Sequence, residues 1–401
     1  PRDRRSMRTP PPILAPLDAY DEQASTLLAR HRAADPQAIA CFHHHHPRFL
    51  DPEVPWKPRD VAEGEIAGAA LTLEDARLAV ARGLSFRDWA ALADLVGQLQ
   101  DPASPVRAYE LAVEAVIHGD LPALDRMLAA NPSLVHARST RVTCHDPPVH
   151  GATLLHYLAA NGVENYRQLS PPNAVAIARR LFDAGADPNA LAGFYGGRCA
   201  TLPLLVSSTH PAQAGVQVPL IHALIDAGAK LDGVGEGPWT SPVLTALVFG
   251  FVDAARALAE RGAQVESLMV AAGLGDRPET ARLLPIASAE ERHAALAVAA
   301  QVGNEEAVEL LLAAGEDPSR FNPDGFHAHG TPLHHAALCG HLGVVRLLVE
   351  RGARLDLEDK LWHGTPLGWA EHGGQAAVAE YLRSARPDLR RGWWRRRRIP
   401  E

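Results

Sequence analysis

The sequence predicts an all-α solenoid built from stacked helix-turn-helix units. A leucine-rich helix end running into a glycine recurs, as Leu181-Phe182-Asp183-Ala184-Gly185, Leu224-Ile225-Asp226-Ala227-Gly228 and Leu258-Ala259-Glu260-Arg261-Gly262, and again at Leu311-Leu312-Ala313-Ala314-Gly315 and Leu348-Val349-Glu350-Arg351-Gly352. Before these ends lies a second set of glycine turns, among them Gly119-Asp120, Gly250-Phe251, Gly275-Asp276, Gly303-Asn304 and Gly340-His341. Unit starts keep the same register, each opening on a threonine at Thr153, Thr331 and Thr365.

Each of these residues has a physical reason to be where it is. Glycine at the position after a helix allows the left-handed turn that satisfies the last carbonyls, where a Cβ would be strained. Threonine caps the free N–H groups of a first turn, and the prolines Pro332 and Pro366 occupy the first helical position, where a missing N–H costs nothing. Successive stop glycines stand 43, 34, 53 and 37 residues apart. The 53-residue gap holds an extra unit without the stop, running from Leu268 to Leu284, and the 43-residue gap holds an insertion.

Thr331-Pro332-Leu333-His334-His335-Ala336 nearly matches T-P-L-H-x-A, and Thr365-Pro366-Leu367 and Thr153-Leu154-Leu155-His156 are weaker versions. On these residues the chain resembles the ankyrin-repeat family, whose unit is about 33 residues. The match is close over residues 330–386 and looser toward residue 111. Eight units are expected, starting near residues 111, 152, 201, 241, 266, 292, 330 and 364. The resemblance implies an all-α ankyrin-repeat solenoid with turns projecting from one edge. It also implies recognition of a protein partner through the groove of turns and inner helices, and a structural role for His334.

Residues 7–105 lack the repeat. Helices are expected over 21–34 and 35–45, a proline-rich linker over 47–58, and two further helices over 71–83 and 85–96. His45-His46-Pro47-Arg48 and the stretch from Leu73 to Trp89 resemble the helical leader ahead of the repeats in many bacterial ankyrin proteins, with Leu84-Ser85 departing from the usual spacing. Such a leader would cap the exposed face of an end repeat. The expected organisation is therefore residues 1–20 disordered, 21–105 a helical capping segment, 106–386 the array, with insertions at 161–173 and 191–217, and 387–401 a basic disordered tail. Met7 reads as an initiator, which makes residues 1–6 foreign to the fold.

With 39 basic and 47 acidic residues the net charge is -8, which argues against a nucleic-acid footprint over the body of the chain. Four scattered cysteines, Cys41, Cys144, Cys199 and Cys339, suggest neither a disulfide framework nor a thiolate zinc site and fit a reducing, cytoplasmic setting. No stretch has the apolar length of a membrane span.

Four places carry candidate chemistry. His43 to His46 resembles a metal-binding tract, but adjacent residues of one helix point apart and do not converge on one ion. A second histidine group, His327, His329, His334, His335, His341, His363 and His372, spreads over the last two full repeats, where groove-lining residues compete with a zinc or pH-sensitive site. The insertions hold aromatic, amide and guanidinium groups, and Tyr166, Arg167, Tyr195, Arg198 and His210 are expected to line one binding concavity, with the three insertions gathered on one side. The tail over 386–398 carries seven arginines and Trp393-Trp394, a basic run that reads first as solvated.

No P-loop, dinucleotide glycine motif, nucleophile elbow or H-E-x-x-H is present, so no catalytic residue, cofactor or metal is assigned. A non-enzymatic module binding a protein partner of unknown identity is the leading reading. Its rival is an enzyme, or a small-molecule or metal site, on the insertion loops, where His156, Tyr166, Tyr195, Cys199 and His210 would converge with Glu164. A third reading is a regulatory or immunity partner of a neighbouring protein.

Overall fold

The computed structural model describes residues 13–160 and 163–385. Met7, Asn161, Gly162 and the arginine-rich run from Arg386 lie outside them. The described chain divides into two units, one ending at Ala229 and one beginning at Lys230.

The first unit opens with five helices, α1 (Leu17–Arg32), α2 (Pro36–His45), α3 (Glu63–Ala67), α4 (Leu73–Gly83) and α5 (Trp89–Gln100). Local chemistry sets their ends. Asp35 caps α2 ahead of Pro36, Thr72 and Asp75 form a reciprocal capping box on α4, and Asp88 caps α5. Helix α1 begins at Leu17, inside the stretch expected to be disordered, because Tyr20, Ala24, Leu27 and Leu28 are needed on its buried face. The expected linker is also folded: Phe49 is buried with Phe42 and Ile66, and Leu50 bridges Pro58. Ser85 sits at φ 66°, the left-handed residue that turns the chain out of α4 and accounts for the Leu84-Ser85 departure.

Three helix pairs complete this unit: α6 (Pro105–His118) with α7 (Leu121–Ala130), a 3₁₀ turn (Leu154–Ala159) with α8 (Ala174–Asp183), and α9 (Thr201–Val206) with α11 (Gln217–Asp226). The expected insertions bring β1 (Ala192–Phe194), β2 (Gly197–Cys199) and α10 (Thr209–Gln213). The two short antiparallel strands are the one exception to helix beyond isolated bridges among the described residues.

The second unit holds five pairs: α12 (Pro242–Val248) with α13 (Val252–Glu260), α14 (Leu268–Leu274) with α15 (Arg277–Leu283), α16 (Ala289–Val302) with α17 (Glu305–Ala313), α18 (Pro332–Cys339) with α19 (Leu342–Glu350), and α20 (Pro366–His372) with α21 (Ala376–Ala385). Eight pairs therefore follow the leader. The core shared by the last four pairs includes Leu296, Val308, Leu311, Leu333, Val345 and Leu348, all fully buried.

The five stop glycines are conformationally equivalent: Gly185, Gly228, Gly262, Gly315 and Gly352 have φ between 90° and 94°. At each, the glycine N–H and the next N–H close back on the helix end, as in Gly352 N to Val349 O and Ala353 N to Leu348 O. Sequence register and backbone geometry agree unit by unit. A cost of about 1 kcal/mol is expected for Gly352→Ala, since open space surrounds the added methyl and backbone strain is the sole penalty. Thermal melting of the variant against wild type checks this, and an unchanged curve would break the assigned register.

Candidate functional site

Near the start of three inner elements an imidazole ties the pair to the loop ahead of it. Thr331 N and Oγ1 donate to His334 Nδ1, and His334 Nε2 donates to Gly364 O at 3.1 Å. The same arrangement recurs at Thr153 and His156, whose Nε2 faces Cys199 O at 3.4 Å. His293, which no T-P-L-H pattern marks, reaches Phe321 O at 2.8 Å in the same way. Burial lowers the pKa of His156 to about 3 and that of His334 to about 4, so both work as neutral rings.

The densest chemistry lies in the first unit, where α6, the loop before the 3₁₀ turn and the 161–173 insertion meet. Arg167, 2% exposed, spans Glu110 at 2.7 Å, Glu114 at 2.8 Å and Glu164 at 3.2 Å. Arg141 pairs with Glu110 at 2.9 Å and with Glu164 at 3.5 Å. The remaining oxygen of Glu164 accepts from Tyr157 Oη at 2.6 Å and His150 Nε2 at 2.9 Å. Guanidinium planes stack on rings, Arg141 on Phe86 and Tyr166, Arg167 on Tyr157 and Tyr166.

Burial by itself would raise the carboxyl pKa values of Glu110 and Glu164. The two guanidiniums, with His150 beside Glu164, outweigh it and hold Glu110 below and Glu164 well below the usual range. Burial also pushes the Tyr166 phenol up to about 12. These groups are therefore fixed in charge near neutrality. None is poised to exchange a proton, and the network acts as a joint: Asn165 N donates to Ser85 Oγ, Cys144 N to Ser85 O and Arg87 N to Val142 O, so leader and repeats are stitched around it.

From this joint two loops project side by side. Gly193 N donates to His150 O at 2.7 Å and Gly196 N to Asp146 O at 3.1 Å, pinning the β1–β2 hairpin to residues 144–151. Val149 and Tyr195, 46% and 56% exposed, and Arg198 stand outward on this pair.

The five residues expected to share one concavity separate. Tyr166 and Arg167 join the interior network, where Arg167 offers no surface, while Tyr195 and Arg198 are on the hairpin and His210 is exposed on α10. The three insertions do not leave the stack on one side. Residues 161–173 and 207–217 leave from the turn inside a pair, whereas 191–199 joins one pair to the next, at the opposite end of antiparallel helices. The proposed catalytic set does not converge on Glu164 either. His156 is spent on Thr153, Cys199 is buried with its thiol pushed up to about 12, and Glu164 meets His150 and Tyr157 instead.

Glu110, Glu114, Arg141 and His150 escaped the sequence reading. A signal existed: Glu110 stands three and seven residues before Val113 and Ile117, on the face that periodicity marks as buried.

The histidine groups also have individual partners. His43 Nε2 donates to Arg59 O, His44 Nδ1 to Ala40 O and His46 Nε2 to Asp75. In the second unit His341 takes Gln301 O and His363 lies 3.9 Å from Glu358, while His327, His329 and His335 form a ring cluster against Trp369. Among the described residues no group of three or more His, Cys, Asp or Glu is arranged to hold a metal ion.

A family model of three ankyrin repeats matches residues 268–359 and 296–391. Residues 268–391 are thus ankyrin repeats, and the helix pairs of the described chain are those of an all-α ankyrin-repeat fold. The chain is 34% identical over 108 residues to the ankyrin repeat and SAM domain-containing protein 6 of Mus musculus, covering 26% of this chain and 12% of that one. It is 36% identical over 87 residues to the cyclin-dependent kinase 4 inhibitor B of Rattus norvegicus, and 37% over 87 residues to that of Bos taurus. Those matches cover 22% of this chain and 64% and 63% of the inhibitors, so the chain spans less than two thirds of these relatives.

Removing one partner from the buried network leaves the others charged and dry. Glu164→Gln is expected to destabilise the first unit by about 3–5 kcal/mol, read from urea unfolding. A midpoint equal to wild type would show that the network contributes nothing to stability. The neutral imidazoles set an acid limit: the unfolded chain binds protons near His334's ordinary value of 6.5, whereas the folded chain does not until about 4. Stability from this ring is complete above about pH 6.5 and falls as pH drops toward about 4, by about 3 kcal/mol in all. Denaturation at a series of pH values should give a shallower dependence for His334→Gln than for wild type, and identical slopes would contradict the assignment.

Proposed function

We propose that the protein is a non-enzymatic module that recognises a protein partner through its inter-repeat loops and inner-helix face. The observation that carries this reading is the pinned pair of loops in the first unit. Ordering surface loops costs conformational entropy, and a rigid foundation under outward-facing Val149, Tyr195 and Arg198 is what a preorganised contact surface requires. Tyrosine and arginine are residue types that dominate interface energetics. Tyr166 and Arg167 serve the same surface from beneath, by holding the joint, and His210 lies on a separate helix.

The inhibitor relatives are named for a protein target, a kinase, which supports a protein partner for this chain without specifying which. Repeat arrays commonly present extended concave faces for the same purpose. His156, Cys199 and Glu164 are each committed to structural partners or buried, which weighs against an enzyme built on those three.

Paired Tyr195→Ala and Arg198→Ala substitutions test the surface. Both side chains are exposed, so the circular dichroism spectrum is expected to stay that of wild type. Affinity for the partner that the wild-type chain captures from its host is expected to fall about tenfold or more, the scale of a truncated interface anchor. Undiminished capture by a folded variant would remove the hairpin from the binding surface.

A further inference from the structure

In the second unit, the loop that follows α17 does something the other described loops of that unit do not. Its tip folds back two helix pairs: His327 Nε2 donates to Val248 O at the end of α12, 3.0 Å away, and its ring packs edge-on against Phe249 at 5.6 Å. The connections after α13 and α15, residues 261–267 and 284–288, are short, and α12 touches α16 directly, which brings this distant anchor within reach. Beneath the loop is a cavity of about 10 Å³, room for one water, lined by Val248, Gln301, Asn322, Phe326 and His327. Gln301 Oε1 and Asn322 Oδ1 are buried without a protein partner. His327 itself is held at φ 60°, a left-handed conformation that costs a non-glycine residue energy.

We propose that residues 321–330 are a strap latched over the inner-helix face by the His327 imidazole, and that protonation of the imidazole cluster releases it. The cluster is the physical basis. His327 and His335 ring centres lie 5.0 Å apart, His327 and His329 6.1 Å, and His329 and His335 6.0 Å, so a charge on one ring opposes a charge on the next. The Val248 carbonyl at the end of α12 favours a proton on His327, and burial outweighs it. Beside it stand Phe249, just past α12, neutral Gln301 of α16, and His335 of α18 with His334 behind it. The charged groups that act on the cluster are Asp359, which favours protonation of His329, and Lys360, which opposes it. Asp359 is already committed to four donors, the N–H groups of Leu361, Trp362 and Gly364 and Trp369 Nε1. Burial, first among the causes, holds His327, His329 and His335 below their ordinary range while the strap is closed. An opened strap returns them toward that range, so protons bind the open state and acid favours it.

This regulation rests on the inner-helix face being a binding surface, because the strap covers part of that face. The two ideas are separable, since strap opening is measured with no partner present.

Hydrogen exchange of the full chain, read by mass spectrometry as protection factors corrected for the intrinsic rate, tests the latch. The connection at residues 261–267, which contains no histidine and whose backbone N–H groups close on Leu258, Ala259 and Val265, is the internal reference. Between about pH 7.5 and about pH 5.5 the protection of residues 322–330 is expected to fall about tenfold or more relative to the reference loop. His327→Gln keeps a donor for Val248 O but does not titrate, and is expected to reduce that dependence to the share of His329 and His335. His327→Ala is expected to leave the strap open at both pH values. A parallel loss in both loops, or an undiminished pH response in His327→Gln, would overturn the proposal.

Discussion

The stack depends on partners for the buried carbonyls of its inter-repeat loops, and at three of them an imidazole supplies one. Helices satisfy their own backbone and bury leucine and valine against the next pair at no polar cost. The loops between pairs close only part of their backbone internally and take the rest from side chains. His156, His293 and His334 each stand near the start of an inner helix and reach the carbonyl of Cys199, Phe321 or Gly364 in the loop ahead. Threonine capping fixes the tautomer at His156 and His334 by donating to Nδ1, which leaves Nε2 as the donor. The ring is thereby both a helix cap and a rivet, and its neutrality is a structural requirement.

Where that device is insufficient the protein uses charge. The second pair of the first unit has only a six-residue 3₁₀ turn in place of an inner helix, and the space beside it is occupied by the insertion and by Glu110, Glu164, Arg141 and Arg167. A buried ion network of this kind is no better than well-packed apolar residues as a source of stability, yet removing one member is costly. What it provides is a single geometry. Leader, first pair and insertion meet there, and the two exposed loops inherit that geometry. Rigidity at the joint and outward display at the loop tips are two ends of one construction.

Three of the insertion-region groups are saturated in the same way. A nucleophile or general base needs a pKa near the working pH and a free lone pair facing substrate. Cys199 is a buried thiol, His156 has donated and accepted on both nitrogens, and Glu164 has carboxylate oxygens taken by Tyr157, His150 and Arg167. His156, Cys199 and Glu164, which looked reactive in a list of residues, are structural once their partners are known.

Periodic features could be read without coordinates because each is a local event. A glycine after a leucine-rich helix end must be left-handed whatever surrounds it, and so the five stop glycines, the eight pairs and the capping residues were legible along the chain. Four of the five helices before residue 105 were legible for the same reason; α3, the start of α1 and the folding of residues 47–58 were not, because packing around Ile66, Phe42 and Phe49 decides them. Partnership across long separations was not legible. Arg167 and Tyr195 look equally suited to a surface, and only the approach of Glu110, 57 positions before Arg167 in the numbering, puts the first inside while the hairpin puts the second outside. His327 meets Val248 across 79 residues with no pattern to announce it. A residue's conformational preference is written in its neighbours in sequence, whereas the burial of its charge is set by whichever distant groups the packed helices bring to it.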